Sequence, residues 1–317
     1  MANKRATLSD TAPTVPEPAT PEPVVPVLAV SKHLSTERAF QRIGQHCLAQ
    51  ITTHQARLTA GYDVENLHQM RVGLRRLRVA LGLFKALLPV PPALRQELEW
   101  LGTQLNPARD WDVLQNATLP RLTAARAEVA EVPGLAQLEQ AIAAQVQQMR
   151  ELARATVHGA RTLAMLQAWD SWLCQRGWRS TASPRQVRRL QQRIRRAADK
   201  ILARTRRAQQ QAGQKLRKAD PAARHRVRIA TKKLRYASEF FATLNKSRQQ
   251  PRHPARLRHL QDELGWLNDL AVADQLLNGL LEQQPQLAES VQAVCTRLAE
   301  QMAQGSRQVQ KQWKKWV

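Results

Sequence analysis

The sequence predicts an all-α protein, and three observations carry that reading. Ala, Leu, Gln and Arg dominate the 317 residues, while glycine numbers only 12 and aromatics make up 4%; such residues lose little entropy on entering a helix. Apolar residues recur at helical spacing through most of the chain. Caps and breakers then divide it into segments of helix length.

Residues 13 to 26 hold six prolines among Thr, Glu and Val, a composition that favours an extended, unpacked segment, so residues 1–30 are expected to be a tail. Helical patterning begins at Ser35, a capping residue, and runs to about 60, where Gly61 supplies a stop. A second helix is expected over 64–88, ending before Pro89. Shorter helices follow at 93–104, 108–129, 135–156 and 160–176. Gly177 and Ser183-Pro184 mark a break, and a long helix is expected over 185–218. Asp220-Pro221 can cap and start a helix at 222–244. Helices at 255–267, 269–283 and 286–316 complete the series.

The 49 Lys and Arg against 25 Asp and Glu give a formal charge of +24, so a polyanion is the natural partner. Cys47, Cys174 and Cys295 are odd in number, far apart, and lack C-x-x-C pairing, which fits a reducing compartment. No apolar run approaches the roughly 18 residues that span a bilayer, and residues 1–10 contain no signal-peptide core. A soluble cytoplasmic protein without membrane insertion is expected.

One segment is repeated. His68-Gln-Met-Arg71-Val-Gly-Leu-Arg75-Arg76-Leu77-Arg78 returns as His225-Arg-Val-Arg228-Ile-Ala-Thr-Lys232-Lys233-Leu234-Arg235, with every His, cation and Leu in register. At about 100° per residue, His68, Arg71, Arg75 and Arg78 share an arc of roughly 80°, and so do His225, Arg228, Lys232 and Arg235. Leu74, Leu77, Leu81, Phe84 and Leu88 form an apolar stripe beside the first set, so its cations border a packed surface. Downstream, Leu105-Asn-Pro-Ala-Arg-Asp110 matches Leu264-Gly-Trp-Leu-Asn-Asp269 in the same order. Two markers in order indicate a duplicated unit, with halves over 31–180 and 184–317 whose stripes face one another across a common cleft.

Arg presents a planar fork to phosphate oxygens, Lys a point charge, and neutral His still one N–H, so the set reads as phosphate recognition. Between Arg185 and Arg235 stand 19 Lys or Arg and only two acids, Asp199 and Asp220. Within that span Arg193, Arg196, Lys200, Arg204 and Arg207 share a further arc of roughly 80° and would form an additional phosphate rail about 20 Å long; a solvated helix face is the alternative.

Catalysis has less support. The chain lacks a phosphate-binding G-x-x-x-x-G-K-[ST] loop, H-E-x-x-H and G-x-S-x-G, and its eight histidines lack metal-ligand partners at short spacing, the pair His253 and His259 being unconvincing. Asp110, Asp112 and Asp269 are the acids worth weighing, each just after a break at Pro107 or Gly265, where a carboxylate commonly caps a helix or pairs with Arg. No catalytic residue, metal site or cofactor is expected. Trp100, Trp111 and Trp266 lie around the second motif, and the basic stripes hold no aromatic residue, unlike a single-strand nucleic-acid groove.

Together the two His-x-x-Arg-x-x-x-[Arg/Lys]-[Arg/Lys]-Leu-Arg segments, each followed by Leu-[Asn/Gly]-x-x-x-Asp, resemble the conserved-histidine α-helical, or CHAD, domain over about residues 31–317. The resemblance implies two four-helix-type bundles related by a pseudo-twofold, a central basic surface that binds inorganic polyphosphate, and association with polyphosphate granules. It carries the phosphate contacts onto His68, Arg71, Arg75 and Arg78 and onto His225, Arg228, Lys232 and Arg235; Arg76 and Lys233, about 80° round the helix, would reach the cleft from its edge. Asn106 stands where the second half has Gly265, a departure that touches the first turn's geometry and not the charge pattern. A non-enzymatic polyphosphate-binding protein is the reading that results, with a nucleic-acid binder and a polyphosphate or triphosphate hydrolase as alternatives.

Overall fold

The computed structural model describes residues 28–124, 132–214, 221–244 and 254–314. Twelve α-helices occupy them: α1 (Thr36–Ala60), α2 (Val64–Phe84), α3 (Pro92–Gln104), α4 (Asn106–Val113), α5 (Leu119–Thr123), α6 (Leu135–His158), α7 (Ala160–Cys174), α8 (Pro184–Gln191), α9 (Ile194–Gln214), α10 (Pro221–Phe240), α11 (Pro254–Gln283) and α12 (Ala288–Lys314). No strand occurs among the described residues. The expected caps of α1 are present: the Ser35 hydroxyl accepts the Arg38 N–H, and the Gly61 N–H donates to the Arg57 carbonyl.

Several expected helices differ. The one placed over 108–129 is α4, then a π-turn at Leu114–Thr118, then α5. Pro120 explains the wide turn, since it has no N–H to offer the carbonyl four residues back and its ring crowds that carbonyl. The remainder, 125–131, lies outside the described residues, as do 215–220 with the Asp220 cap. The long helix over 185–218 is interrupted, because the Gln192 carbonyl accepts the Thr36 N–H at 2.7 Å and the Ile194 N–H donates to the Leu34 carbonyl at 3.0 Å. Pairing with the start of α1, and no Gly or Pro, ends α8. Conversely, 255–267 and 269–283 fuse into α11: Gly265 costs a helix only about 1 kcal/mol, and the buried Leu260, Leu264, Leu267 and Leu270 hold the helix straight through it. The second motif helix stops at Phe240 and the first at Phe84, both short of their expected ends.

Two hydrophobic cores result. One gathers Phe40 of α1, Leu77 of α2, Leu101 of α3, Trp169 of α7, Leu202 of α9 and Phe240 of α10. The other joins Trp111 of α4, Leu122 of α5, Ile142 of α6, Val227 of α10, Leu270 of α11 and Val294 of α12. Each core draws on both of the expected sequence halves, and α10 runs from one core to the other. Residues 1–27 lie outside the described residues, while Val30, inside the expected tail, is fully buried and its carbonyl accepts the Thr243 hydroxyl at 2.7 Å. The packed chain therefore begins a few residues earlier than composition suggests.

Candidate anion-binding cleft

Helix α2 starts at Asp63, whose carboxylate accepts the Asn66 N–H at 2.7 Å. Its apolar face is buried as expected, including Leu74, Leu77, Leu81 and Phe84, with Leu88 buried just beyond the helix end. Gly73 lets α1 approach closely: a Cβ there would sit 2.8 Å from the Ile51 side chain. Helix α10 is anchored by Val227, Leu234, Ala237 and Phe240. These anchors aim the cations of both helices into one space, and Arg71, Arg75, Arg78, Arg228, Lys232 and Lys233 line a cleft of about 490 Å³. Leu74, Val79, Ile229 and Tyr236 are among the other lining residues; Ile229 is 53% exposed, an apolar rim among the charges. The Arg78 guanidinium occupies space that any side chain at Gly102 would take, lying 2.9 Å from the position of its Cβ.

Other expected site residues fall elsewhere. His68 is half-buried beside Arg109 and Glu65, and burial with the nearby guanidinium of Arg109 keeps its pKa below the ordinary value of 6.5. His225 is exposed and lines a neighbouring hollow that shares only Arg228 with the cleft. Arg76 turns to the packed side, over the Phe240 ring and 3.8 Å from Glu239. Arg235 lies 3.5 Å from the same Glu239. The pair expected at the edge thus divides, Lys233 entering the cleft and Arg76 packing away from it. Of the third stripe, Arg193 lies in the break before α9, against His33, so the rail is not one continuous helix face. Arg196, Lys200 and Arg207 are exposed, while Arg204 donates to the Leu83 carbonyl at 2.8 Å, a cation at the C-terminus of α2.

The cleft is under electrostatic tension. Burial lowers Arg71 to about 10, with Asp110 opposing the shift and Arg75, Arg109 and Arg78 adding to it. Burial likewise lowers Arg228, which Asp269 counteracts. Lys232 is pushed down from 10.5 to about 7 by burial and then by Arg228 and Arg75. Lys233 is lowered by burial, then by Arg204 and Lys85. Among the described residues, Arg75, Arg78, Lys232 and Lys233 make no ion pair. Positive charge is concentrated here beyond what the protein neutralises.

Asp110 and Asp269 are not among the residues that line the cleft, yet the charge of Arg71 acts on the one and that of Arg228 on the other. Burial raises both pKa values; Arg71 works against the shift at Asp110, while Asp269 reinforces it. Neither is a helix cap, since α11 runs unbroken through Asp269 and Asp110 lies within α4; each feels the charge of a neighbouring Arg without an ion pair to it. Asp112 is fully buried, accepting from the Tyr62 hydroxyl at 2.6 Å and from Arg150 at 2.8 and 2.9 Å. Among the described residues no group of three or more His, Cys, Asp or Glu is placed to hold a metal ion. The tryptophans are elsewhere: Trp111 is buried, and Trp100 and Trp266 lie beneath Arg161 and Arg121, each 3.9 Å from the guanidinium carbon.

Two contributors escaped the sequence reading. Asn106 accepts a hydrogen bond from Arg71, whose same nitrogen also donates to the Gly102 carbonyl at 3.3 Å. Arg109 acts on His68, Arg71, Asp110 and Asp269 together. Its only signal was adjacency to Asp110, because the repeat aligns it with Asn268.

Comparison with known proteins agrees with the all-helical fold. The CHAD domain family model matches residues 42–278. The crystal structure of the CHAD domain from the plant Ricinus communis is similar to the chain at 34% identity and a TM-score of 0.80, covering 92% of this chain and 95% of that one. PptA from Streptomyces chartreusis shares the fold at 16% identity and a TM-score of 0.60, over 89% of this chain and 100% of that one. No curated protein matches the chain.

Proposed function

The chain belongs to the CHAD domain family, and from that premise we propose that it binds inorganic polyphosphate in the cleft between α2 and α10, without hydrolysing it, and associates through it with cytoplasmic polyphosphate granules. The observation that carries this reading is the convergence of six cations from two helices on one cleft, none of them in an ion pair among the described residues. A phosphate chain supplies the missing counter-charge at a spacing that Arg and Lys side chains meet well. We read the matched charges Arg71 with Asp110 and Arg228 with Asp269, which influence one another without an ion pair, as the two halves of a duplicated unit. The cleft's one aromatic lining residue, Tyr236, is almost wholly buried, so no ring is offered for base stacking. That favours polyphosphate over single-stranded nucleic acid.

The test is competition at matched phosphate concentration and near-physiological salt. Long-chain polyphosphate is expected to displace DNA and RNA, with an affinity that falls steeply as salt rises. Incubation of the same complex with Mg²⁺ should release no phosphate above a heat-treated control. Retention of nucleic acid against polyphosphate would refute the assignment of ligand, and sustained turnover would refute the absence of hydrolysis.

The depressed Lys232 gives the binding a proton signature. In the free protein its amine is neutral above about pH 7, whereas the unfolded chain keeps it charged to its ordinary pKa. Folding therefore releases a proton between those values, and this residue's contribution to stability rises with pH through that window. A bound polyanion reverses the balance, because it favours the ammonium form. Calorimetry at pH 8 in buffers of different ionisation enthalpy should show uptake on the order of one proton per cleft filled. Affinity should weaken from pH 7 to 9, and Lys232→Arg should remove both effects. Binding without proton uptake would show that Lys232 does not face the ligand.

A further inference from the structure

We propose that the phosphate chain's path continues out of the cleft past Gly82, onto an outer track formed by Lys85 and Arg95. This rests on the polyphosphate reading and adds a second site to it. A hollow of about 290 Å³ lies at the C-terminal end of α2, lined among others by Arg78, Gly82, Lys85, Arg95 and Glu99. Arg78 and Gly82 also line the main cleft, so the two spaces share a wall. At the junction the Lys233 amine lies 3.9 Å from where a Gly82 side chain would begin, and the glycine keeps the passage low. Arg204 is fixed nearby on the Leu83 carbonyl.

Charge does not run out at the cleft mouth. Lys85 and Arg95 are exposed and make no ion pair among the described residues. The one acid of the hollow, Glu99, stands four residues from Arg95 on α3 without pairing to it. Lys85 and Arg204 lie at the C-terminus of α2, where cations also complement the helix dipole. That role asks nothing of Arg95, which belongs to another helix and faces the same hollow. An anion longer than the cleft must leave it somewhere, and leaving over two unneutralised cations adds contacts that a short ligand never reaches.

The experiment compares tripolyphosphate with long-chain polyphosphate on the full chain and on Lys85→Glu/Arg95→Glu. Tripolyphosphate affinity should change little, since no cleft side chain is replaced and only Lys233 feels Lys85, while long-chain affinity should drop roughly tenfold, as expected for two exposed charges reversed. The neutral Lys85→Gln/Arg95→Gln variant should lose less and flatten the salt dependence of long-chain binding by about 1.4 in log–log slope, as for two contacts to a single strand. Both positions are exposed, and circular dichroism will report intact helices. Unchanged long-chain affinity and slope in both variants would overturn the track while leaving the cleft in place, and so would an equal loss for both ligands. Failure of the unmodified protein to hold polyphosphate at all would instead overturn the cleft reading, and the track with it.

Discussion

Arg75→Glu/Arg78→Glu is expected to bind long-chain polyphosphate roughly a hundredfold or more weakly than the unmodified protein, and Lys232→Glu/Lys233→Glu to do the same. All four side chains line the cleft and none makes an ion pair among the described residues. Each reversal removes one attraction and adds one repulsion, on the order of a kcal/mol or more per site in a partly desolvated cleft. Arg71 and Arg235 are poor choices for this test, because Arg71 holds Asn106 and Gly102 and Arg235 lies against Glu239. Tripolyphosphate should bind weakly even to the unmodified protein if it cannot engage both helices at once. Helix content by circular dichroism must match in all variants. If one double variant folds and retains long chains normally, the ligand rests on one wall alone and the second is inherited scaffold.

Repetition in the sequence drew attention to several residues that line this cleft and left others unnoticed. Register between the two motif segments singled out Arg71, Arg75, Arg78, Arg228 and Lys232, all of which line the cleft. The same criterion also carried His68, His225, Arg76 and Arg235, which do not. A helical arc of 80° specifies direction from the axis and says nothing of what packs there; Glu239 and Phe240 claim Arg76, and Glu239 is one turn beyond the motif. Unrepeated residues such as Arg109, Lys85 and Arg95 were invisible to it. Fold class was legible because composition and apolar spacing act within one helix. Helix ends were less so wherever another segment decided them, as when the backbone before α1 interrupts α8 and α9 at Gln192. At Gly265 the opposite occurred: a residue that locally favours a break is overruled by buried leucines on either side.

The support beneath the cleft should prove as sensitive as its surface, since the second large effect is expected at Asp112. This carboxylate is 0% exposed and joins three helices, taking the Tyr62 hydroxyl that leads into α2 and both the Nε and an Nη of Arg150 on α6 while itself belonging to α4. The Arg150 guanidinium also lies over the Tyr62 ring, 5.2 Å from its centroid. Asp112→Ala leaves a half-buried hydroxyl and a guanidinium without their acceptor, a change that costs about 3–5 kcal/mol for fully buried pairs. Because the Arg150 side chain is 27% exposed, water recovers part of this, and a loss of about 2–3 kcal/mol is expected. Asp112→Asn, which keeps an acceptor for Tyr62 but no charge for Arg150, should fall between. Removing both partners in Asp112→Ala/Arg150→Met should be less damaging than the sum of the single changes, since no unpaired charge remains. Urea unfolding followed by helix signal measures the unmodified protein, Asp112→Ala, Asp112→Asn, Arg150→Met and the double variant. The functional consequence follows from position: α4 also carries Asn106, which holds Arg71, and Asp110, whose charge acts on Arg71. Polyphosphate affinity of Asp112→Asn should therefore weaken at temperatures where its helix content is still intact. An unfolding midpoint unchanged by Asp112→Ala would show that the network only decorates a core already sufficient to place α4.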